Sequence, residues 1–490
     1  MDDRFRSAKL RIFKIKEELV EGDALYDYFY EASSFLCDVI DYYYDVKDGI
    51  LENASLLELK DRQSLLYKRI LKDEYEKSYT YPPYAKERIE GESAAILSCA
   101  LSDMYAAIIY ATMGDEEKLL IFMEFFIALY ENKGDPDKLK EVFRTFYHKN
   151  IKFFIDASVK SRLCPGTGIY DEILSCNFSL GDVRYLFRYG AYIGKNELVM
   201  ASFLASLDRD ELIKMAKTFV FGFIKGFEVT GRDISKKKRV LIEYPIGMEP
   251  IVKEAVAIFK ENGLFATFAP EGFLSFNGRG GSKRGVYSTS VNRDFDFGHK
   301  DDMALVLDEE FIDIRLDALK SSYEKRKEDA ALFAGCAVIE VFGEGEFNPK
   351  PQDKNCEYTK GQREQNVEYS NKAGDIANTY LPGDETSFTI VSWPLPEIDP
   401  SFASIGLSDK ELTARLLPDF KKIFKGVTAI NTLDYEKYRN IQQKIILALD
   451  KGEEVIVKGK GANLTDMRVR LHHLDDVDMQ TNFENCVADV

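Results

Sequence analysis

The hydrophobic pattern of the first 230 residues predicts helices throughout. Between residues 23 and 44, apolar side chains recur at steps of three and four, which places them on one wide face of a helix. A second helix is predicted between Gly114 and Pro136. Acidic residues directly after Gly114 are typical of the first turn of a helix, and Gly134 with Pro136 is typical of its end. Short loops between such helices favour antiparallel neighbours in a bundle. We therefore expect an all-α domain over residues 1–230.

After residue 235 the pattern changes to alternating strands and helices. A β-run at 240–244, an amphipathic helix at 250–262 and a second β-run at 263–269 form one βαβ unit. This order of elements requires a parallel strand pair with a right-handed crossover. The alternation continues with a helix at 309–328, a strand at 337–342, a helix at 362–378, a strand at 387–393 and a helix at 433–450.

The final predicted elements are two strands, at 454–458 and 464–471, which Gly459 and Gly461 join as a β-hairpin. The predicted fold class is an α/β C-terminal half, with a parallel sheet, flanking helices and a terminal β-hairpin, preceded by an all-α helical domain. The domain boundary is expected between residues 230 and 231. Because the hairpin edges are unpaired and no polar tail follows them, we also expect the sequence to stop inside a domain.

Composition narrows the class of protein. A chain of 490 residues with 45% apolar and 30% charged residues is typical of a soluble globular protein with two or three domains. Its net charge of −17 disfavours nucleic acid as a partner, because phosphates would be repelled. The seven cysteines include no C-x-x-C pair, which favours a reducing compartment over a disulfide framework.

Neither of the two longest apolar stretches is predicted to span a membrane. The stretch at 94–113 carries Asp103 near its centre, and the stretch at 119–130 is too short to cross a bilayer. Both are therefore expected to be buried helices. We predict a cytoplasmic protein with no membrane partner.

Two glycine-containing segments suggest phosphate binding only weakly. In the segment 277–285, Ser282 precedes Lys283, whereas a P-loop has lysine before serine or threonine at the mouth of a helix. The turn at 245–250 contains only Gly247 and no dinucleotide-binding fingerprint. Both segments are more simply interpreted as loops.

Histidine is scarce, with four in the chain, and no G-x-S-x-G elbow occurs, so serine hydrolase chemistry is disfavoured. The densest group of metal-capable side chains is His472 and His473 with the aspartates that follow them. A catalytic metal site usually takes its ligands from several distant segments, so this group is better interpreted as a polar strand end.

Three segments carry a resemblance to a known family. They are Thr-Ile-Val-Ser-Trp-Pro-Leu-Pro at 389–396, Tyr-Arg-Asn-Ile-Gln-Gln-Lys at 438–444, and Gly-Ala-Asn-Leu-Thr-Asp-Met-Arg-Val at 461–469, followed by Asn-Phe-Glu-Asn at 482–485. Over residues 231–490 the chain resembles the aminopeptidase T and aminopeptidase S family of metallo-aminopeptidases. Leu464 and Thr465 match the "Gly-Thr-Asp-Leu-Thr" strand of that family, whereas Ala462 and Asn463 replace its Thr-Asp pair. The helical first half has no counterpart in the short members.

The resemblance implies an enzyme that removes N-terminal residues from peptides. Two divalent metal ions, zinc, cobalt or similar, would activate a water and polarise the scissile carbonyl, with a carboxylate as general base. In the family the ligands follow a Gly-Glu-Val-Phe motif, which this sequence does not contain. We therefore assign no catalytic residue and no metal ligand, expect no metal on this chain alone, and predict that the chain is an inactive fragment by itself. Homodimers are a further expectation.

The resemblance also places five residues where the N-terminal domain should face the catalytic domain. These cleft-lining candidates are Trp393, Pro394, Asn463, Thr465 and Asp466. Ordinary domain packing is the alternative role for each of them. Two other functions stay open: a non-enzymatic, peptidase-derived interaction protein, and a small-molecule or nucleotide-binding α/β protein that uses the 245–250 turn or the 278–285 loop.

Overall fold

The computed structural model describes residues 3–22, 25–166, 168–175, 179–269, 284–349, 354–406, 417–461, 463–476 and 479–483. The α-helices are α1 Asp3–Glu18, α2 Tyr26–Lys47, α3 Leu56–Tyr67, α4 Lys72–Tyr75, α5 Pro82–Arg88, α6 Ser93–Met104, α7 Ala107–Thr112, α8 Glu116–Glu131, α9 Pro136–Leu163, α10 Ile169–Ser175, α11 Lys195–Ala205, α12 Arg209–Thr230, α13 Glu249–Glu261, α14 Arg293–Gly298, α15 Glu309–Lys325, α16 Lys327–Ala331, α17 Lys360–Tyr380, α18 Pro418–Asn431 and α19 Tyr435–Leu449. The strands are β1 Arg239–Pro245, β2 Phe265–Thr267, β3 Val286–Tyr287, β4 Phe333–Phe342, β5 Ser387–Pro394, β6 Glu454–Lys458 and β7 Asp466–Arg470.

The first half of the chain is helical, as predicted. The helix predicted over 23–44 is α2, and the one predicted between Gly114 and Pro136 is α8. Pro136 then begins α9, whose first backbone N–H groups donate to the Asp135 side chain. The aromatic residues of these helices form a dense core, in which the rings of Phe125 and Phe146 stack with centroids 3.8 Å apart.

The apolar stretch Ser93–Thr112 is the one candidate for a membrane span among the described residues. It has the length and composition to cross a bilayer, but 89% of its most apolar window is buried inside the protein. A buried helix of this kind is typical of the core of a soluble protein. The prediction that this stretch lies in the core is confirmed.

The second half contains a parallel sheet in the order β2-β1-β4-β5, with β3 pairing with the end of β1. The predicted βαβ unit is confirmed as β1, α13 and β2, and Val240 pairs in parallel with Ala266. Because β2 and β4 lie on opposite sides of β1, the strand order reverses there. In open parallel sheets, ligands bind beyond the carboxyl ends of the strands near such a reversal.

Helices cover both faces of the sheet. On one face α12 and α18 pack against β5, and Phe223 and Phe424 enter the same core as Val391. On the other face Val159 of α9 and Tyr323 of α15 pack against the sheet. The hydrophobic core therefore continues across the expected boundary between residues 230 and 231, and that boundary stays a prediction.

Two local details differ from the predicted pattern. The helix expected over 309–328 ends at Lys325, and the short helix α16 begins at Lys327. Between them, the guanidinium of Arg326 donates two 2.8 Å hydrogen bonds to Asp156 of α9. The sequence pattern also did not predict α18. Its first backbone N–H groups, those of Asp419 and Phe420, donate to the Asp399 carboxylate from another part of the chain.

Strands β6 and β7 form the predicted antiparallel hairpin, with pairs from Glu454↔Arg470 to Lys458↔Asp466. Nearly all of its residues are exposed. The fold class is therefore the predicted one, an all-helical region followed by a parallel sheet with flanking helices and a final β-hairpin.

Candidate functional site

Trp393 and Pro394 lie together at the carboxyl end of β5 and are buried. The Trp393 ring stacks on Phe424 of α18 at 6.2 Å, and its Nε1 donates a 3.0 Å hydrogen bond to Oγ1 of Thr428. These contacts hold α18 on the sheet. The structure therefore shows packing for Trp393, and its expected part in a cleft stays a prediction.

Asn463, Thr465 and Asp466 lie at the tip of the hairpin and are exposed. The Asn463 side chain accepts a 2.9 Å hydrogen bond from the Thr465 amide, and Asp466 is 3.8 Å from the Lys458 amine. Among the described residues, no hydrogen bond or ion pair joins this group to Trp393 or Pro394. The five candidates thus form two separate groups.

A polar cluster that the sequence pattern did not indicate lies beyond the carboxyl ends of β4 and β5. Glu397 accepts a 3.0 Å hydrogen bond from the Asn196 side chain, and the Glu397 amide donates back to Asn196 at 3.1 Å. The other carboxylate oxygen of Glu397 accepts a hydrogen bond from the Gly345 N–H. The carbonyl oxygen of Gly345 in turn accepts one from the Arg293 guanidinium. This cluster ties α11 to the sheet.

A second cluster surrounds the buried carboxyl group of Glu249, at the first turn of α13. The Glu249 carboxyl group accepts hydrogen bonds from the Tyr185 hydroxyl at 2.8 Å and from the Gly247 amide at 2.9 Å. Nearby, the hydroxyls of Tyr189 and Tyr244 are 2.9 Å apart. Burial raises the pKa of Glu249 to about 7, although the hydrogen bonds from Tyr185 and Gly247 act in the opposite direction.

The same contacts close the βα turn at 245–250 to ligands. The turn is buried under α11, and a β-carbon on Gly247 would come within 2.9 Å of the Glu197 carbonyl oxygen. The Gly247 amide, which a phosphate would need, already donates to Glu249. The other proposed phosphate segment, 278–285, lies almost wholly outside the described residues.

A large cleft opens at the carboxyl ends of β1 and β2. Its volume is about 1680 Å³, and its walls come from α2, α7, α8, α9, α10, the 3₁₀ segment Val183–Tyr189 and the strand ends. Aromatic side chains, including Tyr170, Tyr185 and Phe268, alternate with charged groups of both signs. A concave surface with apolar walls and a few convergent polar groups has the character of a ligand site.

Glu243 of β1 lies in this cleft, and its side chain is only 8% exposed. Its nearest charged partner is Arg162 at the end of α9, with Nη2 3.7 Å from Oε1. Arg284 lines the cleft as well. These three charged residues were not singled out by the sequence, because nothing in their spacing indicates that they meet.

The described residues contain no group of three or more histidine, cysteine, aspartate or glutamate side chains that could hold a metal ion. His473 is almost fully exposed, with Nε2 3.9 Å from the Asp475 carboxylate. His472 lies next to it at the exposed end of the hairpin, and its carbonyl accepts from Asn482. Asp478 lies outside the described residues.

The chain matches no protein-family model, no curated protein and no solved structure.

Proposed function

We propose that this chain forms the N-terminal part of a metal-dependent aminopeptidase, and that a further domain supplies the metal ligands. The segments that resemble the aminopeptidase family lie in β5, α19 and the β6–β7 hairpin. The observation that carries the proposal is the exposure of apolar side chains on the last two of these elements, which a further domain would cover.

The hairpin has one apolar face. Alternation along the strands puts Val455 and Val457 of β6 beside Val469 and Met467 of β7. The last three of these side chains are 39–48% exposed. A two-stranded ribbon is at most marginally stable in water by itself, so a face of this kind is expected to pack against another surface.

Helix α19 presents a second exposed apolar group. Ile441 and Ile445 lie one turn apart and are 51% and 55% exposed, while Ile446 is the one buried residue of the helix. A helix of a completed domain normally buries its apolar face. Both elements are therefore suited to lie between this chain and a further domain.

The residues described here do not fit a dimetal site, because their metal-capable side chains form no cluster and the hairpin histidines are exposed. We derive no catalytic step through metal ions on this chain. The proposal includes peptide substrates, a homodimer and a cytoplasmic location. The last is supported by the free thiols of the described cysteines: Cys37, Cys99, Cys164, Cys336 and Cys356.

The test is hydrolysis of leucyl amide in the presence of Co²⁺ or Zn²⁺. We expect no hydrolysis by this chain alone, and metal-dependent hydrolysis when the reading frame is extended beyond the codon for Val490. Hydrolysis by this chain alone would contradict the placement of the ligands. A stop codon directly after Val490 would contradict the proposal and favour the interaction protein.

The role of the hairpin face is tested separately in the extended protein. Replacing Val457→Asp and Met467→Asp should weaken the domain contact and lower activity. Ile456→Asp is the matched control, because Ile456 is similarly exposed but lies on the opposite, charged face beside Arg468. Equal activity in both variants would show that the apolar face does not contact the metal-binding domain.

A small-molecule-binding α/β protein is the second candidate, and the cleft at the ends of β1 and β2 favours it. This function does not require the turn at 245–250, which is closed, and it does not exclude the peptidase.

A further inference from the structure

The cleft contains a buried carboxylate that lacks hydrogen-bond donors. The side chain of Glu243 is only 8% exposed, yet no side chain or backbone amide of the described residues donates a hydrogen bond to it. Its contact with Arg162, at 3.7 Å, is longer than a hydrogen bond. Burial of a carboxylate costs free energy unless hydrogen-bond donors replace the water that it loses.

Two arginines lie at the same end of the cleft. Arg162 contacts Glu243, and Arg284 is exposed and has no ion pair within the described part of the chain. The charges of both arginines and of Glu243 act on the same group, the thiol of Cys336. Burial is the main cause that raises the pKa of this thiol to about 11. Positive and negative groups are therefore close together at this end of the cleft, and the ion pair among them, between Arg162 and Glu243, is longer than a hydrogen bond.

We propose that this end of the cleft binds an α-amino acid as its zwitterion, with the ammonium group on Glu243 and the carboxylate on Arg162 and Arg284. In an α-amino acid the amino nitrogen and the carboxylate oxygens are about 3 Å apart, which follows from standard bond lengths. That spacing suits a site in which the Glu243 carboxylate and the Arg162 guanidinium are 3.7 Å apart. The planar guanidinium is also well suited to bind a carboxylate with two parallel hydrogen bonds.

The walls of the cleft favour an apolar amino-acid side chain. Phe268 follows β2, and Tyr170 and Tyr185 come from the helical side, so aromatic side chains line the same cleft as the charged groups. A cleft of about 1680 Å³ is larger than one amino acid needs. The charged groups, rather than the shape, therefore determine which ligand binds.

The experiment measures binding by isothermal titration calorimetry to this chain, in buffer that contains EDTA. L-leucine is compared with leucinamide, which lacks the carboxylate, and with 4-methylpentanoate, which lacks the ammonium group. We expect saturable binding of L-leucine and an affinity at least about tenfold lower for each analogue, because each loses a charged hydrogen-bonding group. If either analogue binds as tightly as L-leucine, or if none of the three binds, the proposal is wrong.

Variants locate the site. Glu243→Gln, Arg162→Gln and Arg284→Gln should each lower the affinity for L-leucine by about tenfold or more. The matched control is Glu340→Gln, because Glu340 is exposed on β4 beyond the residue that pairs with Glu243 and lies outside the cleft lining. Its affinity should be unchanged.

Arg284→Gln keeps the test decisive if a buried variant fails to fold, because Arg284 is exposed. Unchanged affinity in a folded Arg284→Gln protein would overturn the proposed carboxylate contact. The measurement needs neither metal nor peptidase activity, so its failure would leave the proposed aminopeptidase role to its own test.

Discussion

The α-carbon of Gly335 on β4 lies directly against the backbone of Ser387 on β5. A β-carbon at this position would lie 2.9 Å from the Ser387 carbonyl carbon and would overlap its oxygen. Gly335 also has a φ of +121°, which side chains of L-residues rarely adopt, and it lies where the β1–β4 register shifts. The close approach of β4 and β5 therefore depends on glycine.

Gly335→Ala should destabilise the protein by about 3 kcal/mol or more, because it adds both a clash and backbone strain. Urea unfolding followed by circular dichroism measures this change. Gly374→Ala is the control, since Gly374 is exposed within α17 and has no heavy atom within 4 Å of an added β-carbon. That variant should be stabilised by about 0.5–1 kcal/mol through helix propensity. Equal stability of the two variants would contradict the assigned packing.

Glu249 should make stability fall as the pH rises. Its pKa is about 7 in the folded protein and 4.5 for an ordinary glutamate. Between pH 4.5 and pH 7, the folded state therefore keeps a proton that the unfolded state has lost. The stabilising contribution of Glu249 is largest below pH 4.5 and decreases towards pH 7, by about 3 kcal/mol.

The measurement compares the free energy of unfolding at pH 5 and pH 7.5 in Glu249→Gln and the unmodified protein. The variant should lack the part of the decrease that Glu249 causes. Glu261→Gln, an exposed position on the same helix, should retain it. A decrease of the same size in Glu249→Gln would assign the pH dependence to other groups.

Asp399 should have the opposite effect. Burial alone would raise its pKa, but the backbone N–H groups of Ser401, Phe420 and Asp419 lower it below 3.8. Its stabilising contribution is therefore complete above pH 3.8 and is lost as the pH falls through the lower folded value.

Asp399→Ala should cost about 2 kcal/mol at pH 7, because α18 loses the acceptor for its first amides, and the cost should shrink in acid. Thermal unfolding at pH 7 and pH 3 measures both effects. Asp384→Ala, at an exposed position, should change little. A cost that does not depend on pH would mean that the carboxylate charge is not what stabilises α18.

Trp393→Ala should destabilise the protein by about 3–5 kcal/mol, because it removes a fully buried ring from between β5 and α18. Thr428→Val removes the hydroxyl that accepts from the indole N–H and donates weakly to the Met215 sulfur, and it should cost about 1 kcal/mol. Differential scanning calorimetry of both variants measures the difference. A small effect of Trp393→Ala would argue against a packing role and favour the expected cleft.

The candidate site was much less visible in the sequence than the fold. Arg162, Glu243 and Arg284 come from the end of a helix, a strand and a loop, and their separation along the chain hides their proximity. By contrast, Trp393 and Asn463 were expected to face the same domain only because of the family resemblance, and the structure puts them in different surroundings.

Apolar periodicity and turn residues act over a few neighbouring positions, and they were enough to predict the helices of the first half, the parallel βαβ unit and the hairpin of β6 and β7. The tertiary structure adds the contact between Arg326, which follows α15, and Asp156 of α9, which no local pattern indicates. It alone also formed the cleft and left the hairpin face exposed. These features arise from contacts between distant segments, and such contacts leave no periodic signal along the chain.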